Sequence, residues 1–280
     1  MYTVEHNDKL YVLLREIDTT THFGGVMSFD IDGNERLINP SCAVSTKGIC
    51  PCHLAVTNDD IYVVNYLSGN ITSFFGKTDT HNGAGVNLPR QDMAHTHFVA
   101  ISPDKKYLLS CDLGLDSIYT YDFGLNVQSV SKVPSGHGAR HLAYSSDGKY
   151  VYCVNELAST VSVFKYDDGK LILCDTYPCM LKDTKNNTSD AIRYNNGYVY
   201  VSNRGEDTIV CFKVQGDRLE FVSRTFVGGS FPRDFDFCDN YIICTNKHTN
   251  NVTVFEVNGG NLKQTDNFEN IADPLCVTVI

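Results

Sequence analysis

A run of apolar residues closed by a polar one, then a short turn, then an alternating apolar and polar run, returns six times along the 280-residue chain. Four copies are close: IYVVNYLSGNITSF (61–74), VYCVNELASTVSVF (151–164), VYVSNRGEDTIVCF (199–212) and IICTNKHTNNVTVF (242–255). LLSCDLGLDSIYTY (108–121) has Asp in place of Asn, and LYVLLREIDTTTHFGGVMSF (10–29) fits after a longer turn. Aligned at the closing polar residue, the register falls on Arg15, Asn65, Asp112, Asn155, Asn203 and Asn246, spaced 43 to 50 residues apart. A fixed period of that length marks a repeat architecture.

Each repeat reads as four short strands. In the fourth, residues 140–144, 150–155, 160–166 and 171–175 are strands, joined by segments rich in Asp, Gly, Ser and Asn that accept turn dihedrals. One such meander cannot bury both faces, whereas a ring of them can. The expected fold is therefore all-β, a β-propeller of four-stranded blades forming a single domain over 1–280. A sandwich would not keep one motif in register, and solenoid turns are shorter. No window sustains a 3.6-residue apolar period, so little helix is expected, and the absence of Trp excludes the WD form of propeller. First-strand segments begin near Tyr2, His53, His97, His141, Asp190, Arg233 and Leu275, seven against six second-strand motifs. The chain thus reads as six full repeats plus one C-terminal strand, PLCVTVI (274–280).

Charge narrows the partners. With 23 basic and 33 acidic residues the net charge is −10, which opposes binding to nucleic acid or an anionic membrane surface. No stretch approaches the length of a membrane span and the N-terminus has no signal-like pattern, so a soluble cytoplasmic protein, monomeric or weakly homo-oligomeric, is expected. Of the eleven cysteines, Cys111, Cys153, Cys211 and Cys244 sit inside apolar runs, where a reduced thiol acts as a small hydrophobe. Cys50-Pro51-Cys52 lacks the second pair that a tetrahedral zinc site needs. No metal and no cofactor are expected.

In a blade running up and down from a central axis, the start of the first strand and the end of the second share one face near that axis. This gathers His53, His95, His97, Arg140, His141, Asp190, Arg233 and Asp234 with Glu16, Asp112, Asn155, Glu156, Asn203, Arg204 and Lys247. Arginine forks bind carboxylate or phosphate at two points, a histidine titrates near neutrality, and a carboxylate beside them can move a proton. Such a site suits attack of water on a lactone carbonyl, or proton transfer beside a carboxylate. The recurring Asn residues suit loop ties better than ligand binding, whereas one of Arg140 and Arg233 equally suits pairing with a neighbouring blade's carboxylate. His95 and His97, two apart on a strand, would point both rings to one face, but no third metal ligand is evident. Glu156 and Arg204 break the repeat, since their counterparts are Tyr66, Leu113 and Lys247, with Glu16 the exception.

Nearly the whole chain resembles the lactonase family of β-propellers, which includes bacterial propeller-type 6-phosphogluconolactonase and fungal carboxy-muconate lactonising enzyme. The resemblance lies in PCHLAV (51–56), the stretch 90–121 with A-H-T-H, GHGARHLAY (136–144) linked to V-N-E-L, SDAIRYNNGYVYVSNRG (189–205) and FPRDFDF (231–237). Membership implies seven blades, so the N-terminal strands of the blade closed by 274–280 are expected to be missing here. It also implies a catalytic set of one histidine, two arginines and a glutamate, which by motif are His97 (or His95), Arg140, Arg204 and Glu156. His95, His141, Asn155, Asn203, Arg233 and Asp112 complete the candidate set as substrate-binding residues. The activity implied is hydrolysis of a sugar-acid lactone, with 6-phosphogluconolactone of the pentose phosphate pathway foremost. The alternatives are cycloisomerisation of a carboxylated muconate-like acid and a non-catalytic scaffold.

Overall fold

The alternating runs become strands throughout. The computed structural model describes residues 2–181 and 186–280, and among the described residues there are 25 strands and no helix. Their contacts gather into two compact units, Met1–Ser131 with Ile280, and Lys132–Val279.

The first unit carries three sheets. The first sheet runs Thr3–Glu5, Lys9–Leu14 and Phe23–Ile31, and its outermost position is shared by Leu37–Ile38 and Val44–Ile49, which pair with different parts of Phe23–Ile31. The second sheet is Pro51–Val56, Ile61–Asn65, Asn70–Ser73 and Thr78–Thr80; the third is Thr96–Ile101, Leu108–Asp112, Ser117–Tyr121 and Val127–Lys132. Facing sides bury Leu13, Val26, Leu54 and Val63 in one cluster and Tyr62, Val64, Val99, Leu108 and Tyr121 in another.

The second unit also carries three. The fourth sheet is Ala139–Tyr144, Tyr150–Asn155, Thr160–Asp167 and Lys170–Pro178, and the fifth is Thr188–Asn195, Tyr198–Arg204, Thr208–Gln215 and Arg218–Phe226. The sixth is Pro232–Cys238, Tyr241–Asn246, Asn251–Asn258 and Asn261–Glu269. Tyr152, Val163, Val201 and Phe212 pack between the fourth and fifth sheets, and Tyr200, Ile209, Phe235 and Phe255 between the fifth and sixth. Stacking sheets this way buries the apolar side of each meander, which is what the period demanded.

One expectation needs correction. Residues 274–280 form no strand; the Val277 N–H donates to the Asp234 carboxylate at 3.3 Å. The recurring polar residue at each second-strand end serves the fold. Asn65, Asn155, Asn203 and Asn246 are all fully buried. Asn155 Nδ2 donates to Thr160 Oγ1 and Ser162 Oγ, both at 2.9 Å. Asn203 Nδ2 donates to the Cys179 carbonyl at 2.6 Å while its Oδ1 accepts from Ser189 Oγ at 2.6 Å. Asn155 and Asn203 thus tie loops and strand ends together through buried amides.

Candidate functional site

Each sheet from the second to the sixth has a β-bulge at one place in its first strand. Pro51, Thr96, Ala139, Ser189 and Pro232 pair with Asn65, Asp112, Asn155, Asn203 and Asn246, and the register slips immediately afterwards. The residues entering the slip are Cys52, His97, Arg140, Asp190 and Arg233. A bulge bends its strand and re-aims one side chain, so these equivalent positions carry whatever chemistry each sheet contributes. One residue beyond each second-strand Asn or Asp stand Tyr66, Leu113, Glu156, Arg204 and Lys247.

In the second unit these two sets converge on one ionic cluster. Arg140 Nε donates to Glu156 Oε2 at 2.9 Å, its Nη1 donates to the Asp190 carbonyl at 2.7 Å, and its Nη2 pairs with Asp190 Oδ1. Arg204 Nη2 lies 3.2 Å from the same Glu156 oxygen, and its Nε lies 3.0 Å from Asp190 Oδ2 as an ion pair without hydrogen-bond alignment. Arg233 Nη1 donates to Asp190 Oδ2 at 3.3 Å. Side-chain exposure is 2% for Arg140, 3% for Glu156, 0% for Asp190 and 6% for Arg204, against 28% for Arg233, so Arg233 forms the wet side. Three guanidiniums against two carboxylates leave one positive charge in excess, in a chain whose total is −10. Burial pulls the Arg140 guanidinium below its ordinary value while Asp190 draws it back up; Arg233 and Arg204 add to the lowering and Glu156 opposes it.

Beside the cluster, Asp234 is buried and pairs with Arg193 at 3.0 Å. Burial raises its carboxyl, with Arg193 opposing. Arg193 also reaches Asp236 at 3.4 Å. His141, the residue after Arg140, is buried in the same strand.

The histidines His95 and His97 belong to the first unit. They do not present like faces of one strand, because His95 precedes the strand and His97 enters the bulge. His95 stacks on Tyr66 at 4.4 Å and 13°, whereas His97 meets the same ring edge-on at 5.6 Å and 82°. His95 Nδ1 lies 3.0 Å from the Tyr66 carbonyl and Nε2 lies 3.1 Å from Asp92. Asp112 is fully buried and structural: Oδ1 accepts the His95 N–H at 2.9 Å and the Leu115 N–H at 3.1 Å, while Oδ2 sits 2.6 Å from His81 Nδ1. As with Asn155 and Asn203, the fold engages the polar atoms of Asp112. Glu16 and Lys247 stand apart from the cluster in their pairing, with His22 at 3.4 Å and Asp273 at 3.8 Å.

Sequence reasoning placed Asp190 on the rim without seeing it as the hub. The signal was available in S-D-A-I, where the bulge residue is acidic while its counterparts in the adjoining sheets, Arg140 and Arg233, are cations.

Repeated four-stranded sheets, three of which bring a bulge residue to one buried ionic cluster, follow the plan of a β-propeller. Residues 1–279 match the profile of the Lactonase family, described as a 7-bladed beta-propeller, and the chain belongs to that family. An uncharacterized Staphylococcus aureus protein is 32% identical over 302 residues, covering 99% of this chain and 87% of the relative. Among solved structures, a Bacteroides fragilis protein provisionally assigned as a 6-phosphogluconolactonase aligns with a TM-score of 0.89 and 29% identity over 98% of this chain and 85% of its own. The periplasmic gluconolactonase PpgL of Pseudomonas aeruginosa aligns with a TM-score of 0.88 and 25% identity over 96% of this chain and 84% of its own.

Proposed function

We propose that this protein hydrolyses a sugar-acid lactone, with 6-phosphogluconolactone as its substrate and 6-phosphogluconate as its product. The observation that carries the reading is the Arg140–Glu156–Asp190–Arg204–Arg233 cluster with its excess positive charge. Membership in the lactonase family and likeness to a gluconolactonase support the reaction class. An anionic sugar lactone matches the charge of the cluster, and Arg233, its most exposed cation, is suited to meet a phosphate or carboxylate first.

Lactone opening needs a base for water and a positive group for the carbonyl oxygen. In this reading Glu156 takes a proton from water as the hydroxyl oxygen bonds to the carbonyl carbon. Arg140 or Arg204 faces the oxyanion that develops there. The ring C–O bond then breaks, and its oxygen recovers the proton to leave a hydroxy acid. Eleven cysteines with no disulfide among them favour a reducing compartment, and the cytoplasm is the proposed location.

A panel of lactones followed by pH-stat, with spontaneous hydrolysis subtracted, tests the reading. Acceleration greatest for the phosphorylated lactone and lost in Arg140→Ala is the expected result. Muconate cyclisation in place of lactone opening would turn the reading to a cycloisomerase, and neither activity would make the chain a scaffold.

A further inference from the structure

Phe231 is a residue that its own backbone does not favour. It stands immediately before the first strand of the sixth sheet with φ 63°, in the left-handed region where a bulky side chain is an outlier. At the same place before the fourth sheet is Gly138, φ 73°, which adopts that conformation without a steric penalty. In both sheets the carbonyl there accepts the N–H of the residue just past the second strand: Gly138 from Glu156 at 2.8 Å, Phe231 from Lys247 at 3.0 Å. Glycine therefore suffices for this backbone turn. A phenyl ring retained against strain points to a task for the ring.

That task is visible in what the ring touches. The Arg204 guanidinium carbon lies 5.1 Å from the Phe231 centroid, a distance at which a cation is held by the ring face. His248 stacks on the same ring at 4.1 Å and 27°. Asp207 Oδ1 accepts the Phe231 N–H at 2.8 Å and the Gly205 N–H at 3.3 Å, so the backbones of Phe231 and of the residue after Arg204 hang from one carboxylate. The first unit repeats the device with other residues. His95, before the first strand of the third sheet, stacks on Tyr66, which follows the second strand of the second sheet. In both units a planar side chain entering one sheet lies on the residue that leaves the inner hairpin of the sheet before it.

We propose that Phe231 is a positioning residue of the site, fixing the Arg204 guanidinium in the orientation in which it meets Glu156 and Asp190. Its activity readout rests on the lactonase reading; its contact with Arg204 does not. The test compares the full-length protein with Phe231→Leu, Phe231→Gly, Phe231→Tyr and Arg204→Lys. Phe231→Leu is expected to lower kcat about tenfold or more while KM moves less than about threefold, and Phe231→Tyr to keep both within about twofold. Phe231→Gly loses turnover like Leu, yet melts no lower than Leu because glycine relieves the left-handed strain. A merely structural role would make activity follow stability across this series.

Wild-type kcat in Phe231→Leu, or a Tyr variant as impaired as Leu, overturns the proposal. If the wild type opens no lactone, the lactonase reading fails by itself, and the unfolding equilibrium then decides on Phe231. There, Phe231→Leu and Arg204→Lys should combine non-additively by about threefold or more in the folding constant, whereas simple additivity overturns the assignment.

Discussion

Asp190 has no exposed surface and meets Arg140, Arg204 and Arg233. Deleting its carboxylate leaves the buried Arg140 and Arg204 with Glu156 as their shared carboxylate and takes from Arg233 the carboxylate it pairs with. Removing one partner of a buried ion pair costs about 3–5 kcal/mol, so Asp190→Ala is expected to lose stability of that order in urea unfolding. A loss under about 1 kcal/mol would show the cluster to be wet and weakly coupled. His81 poses a similar case in the first unit. Its Nε2 sits 2.5 Å from the Tyr121 hydroxyl, which donates to Asp79 at 2.9 Å, while Nδ1 faces Asp112. His81→Phe removes the partner of buried Asp112 Oδ2 and leaves Tyr121 only its bond to Asp79, and should cost about 2 kcal/mol or more in thermal unfolding.

The second-strand Asn residues act at the scale of the element, tying a strand end to the next strand and to the chain arriving from the preceding sheet. Asn203→Ala should therefore destabilise by about 1–3 kcal/mol, because Ser189 and the Cys179 carbonyl lose their partner. Turnover per folded molecule should stay within about twofold of wild type if the tie is its whole task, and a selective loss of turnover would make Asn203 a ligand-binding residue. Strand positions were legible because apolar and polar residues alternate. The four strands of the fourth repeat lie within a few residues of where alternation puts them. The bulge was not legible, since alternation does not reveal an extra residue. His53, His97 and His141 look equivalent by type, but the register aligns Cys52, His97 and Arg140. Arg140, Glu156 and Arg204 could be grouped from topology and motif. The hub role of Asp190 and the left-handed Phe231 could not, because one depends on three-dimensional partners and the other on a backbone angle that Phe rarely adopts.

Over the whole chain acidic residues outnumber basic ones, whereas the Arg140–Glu156–Asp190–Arg204–Arg233 cluster holds three guanidiniums to two carboxylates, a contrast that composition alone hides. Burial also governs the thiols. It pushes Cys211 from an ordinary 9.0 up to about 12, and Tyr62 from 10.0 up to about 12. The folded protein holds these protons where the unfolded chain releases them, so their contribution to stability is complete below pH 9.0 and is lost as pH rises toward 12. Melting temperature should accordingly fall across that alkaline window, and a flat profile would contradict the burial. Near pH 8, where the thiolate is the reacting form, a disulfide reagent should reach the exposed Cys42 and Cys174 first. Cys111, Cys153, Cys179, Cys211 and Cys244 should respond only on unfolding. The central claim is that Glu156, clamped by Arg140 and Arg204, turns over an anionic lactone, and the initial rate of 6-phosphogluconolactone opening by wild type and Glu156→Gln, net of spontaneous hydrolysis, tests it most directly. The account predicts clear acceleration by the wild type and a loss of about a hundredfold or more in the variant; a wild type no faster than the spontaneous rate, or a variant equal to wild type, would contradict it.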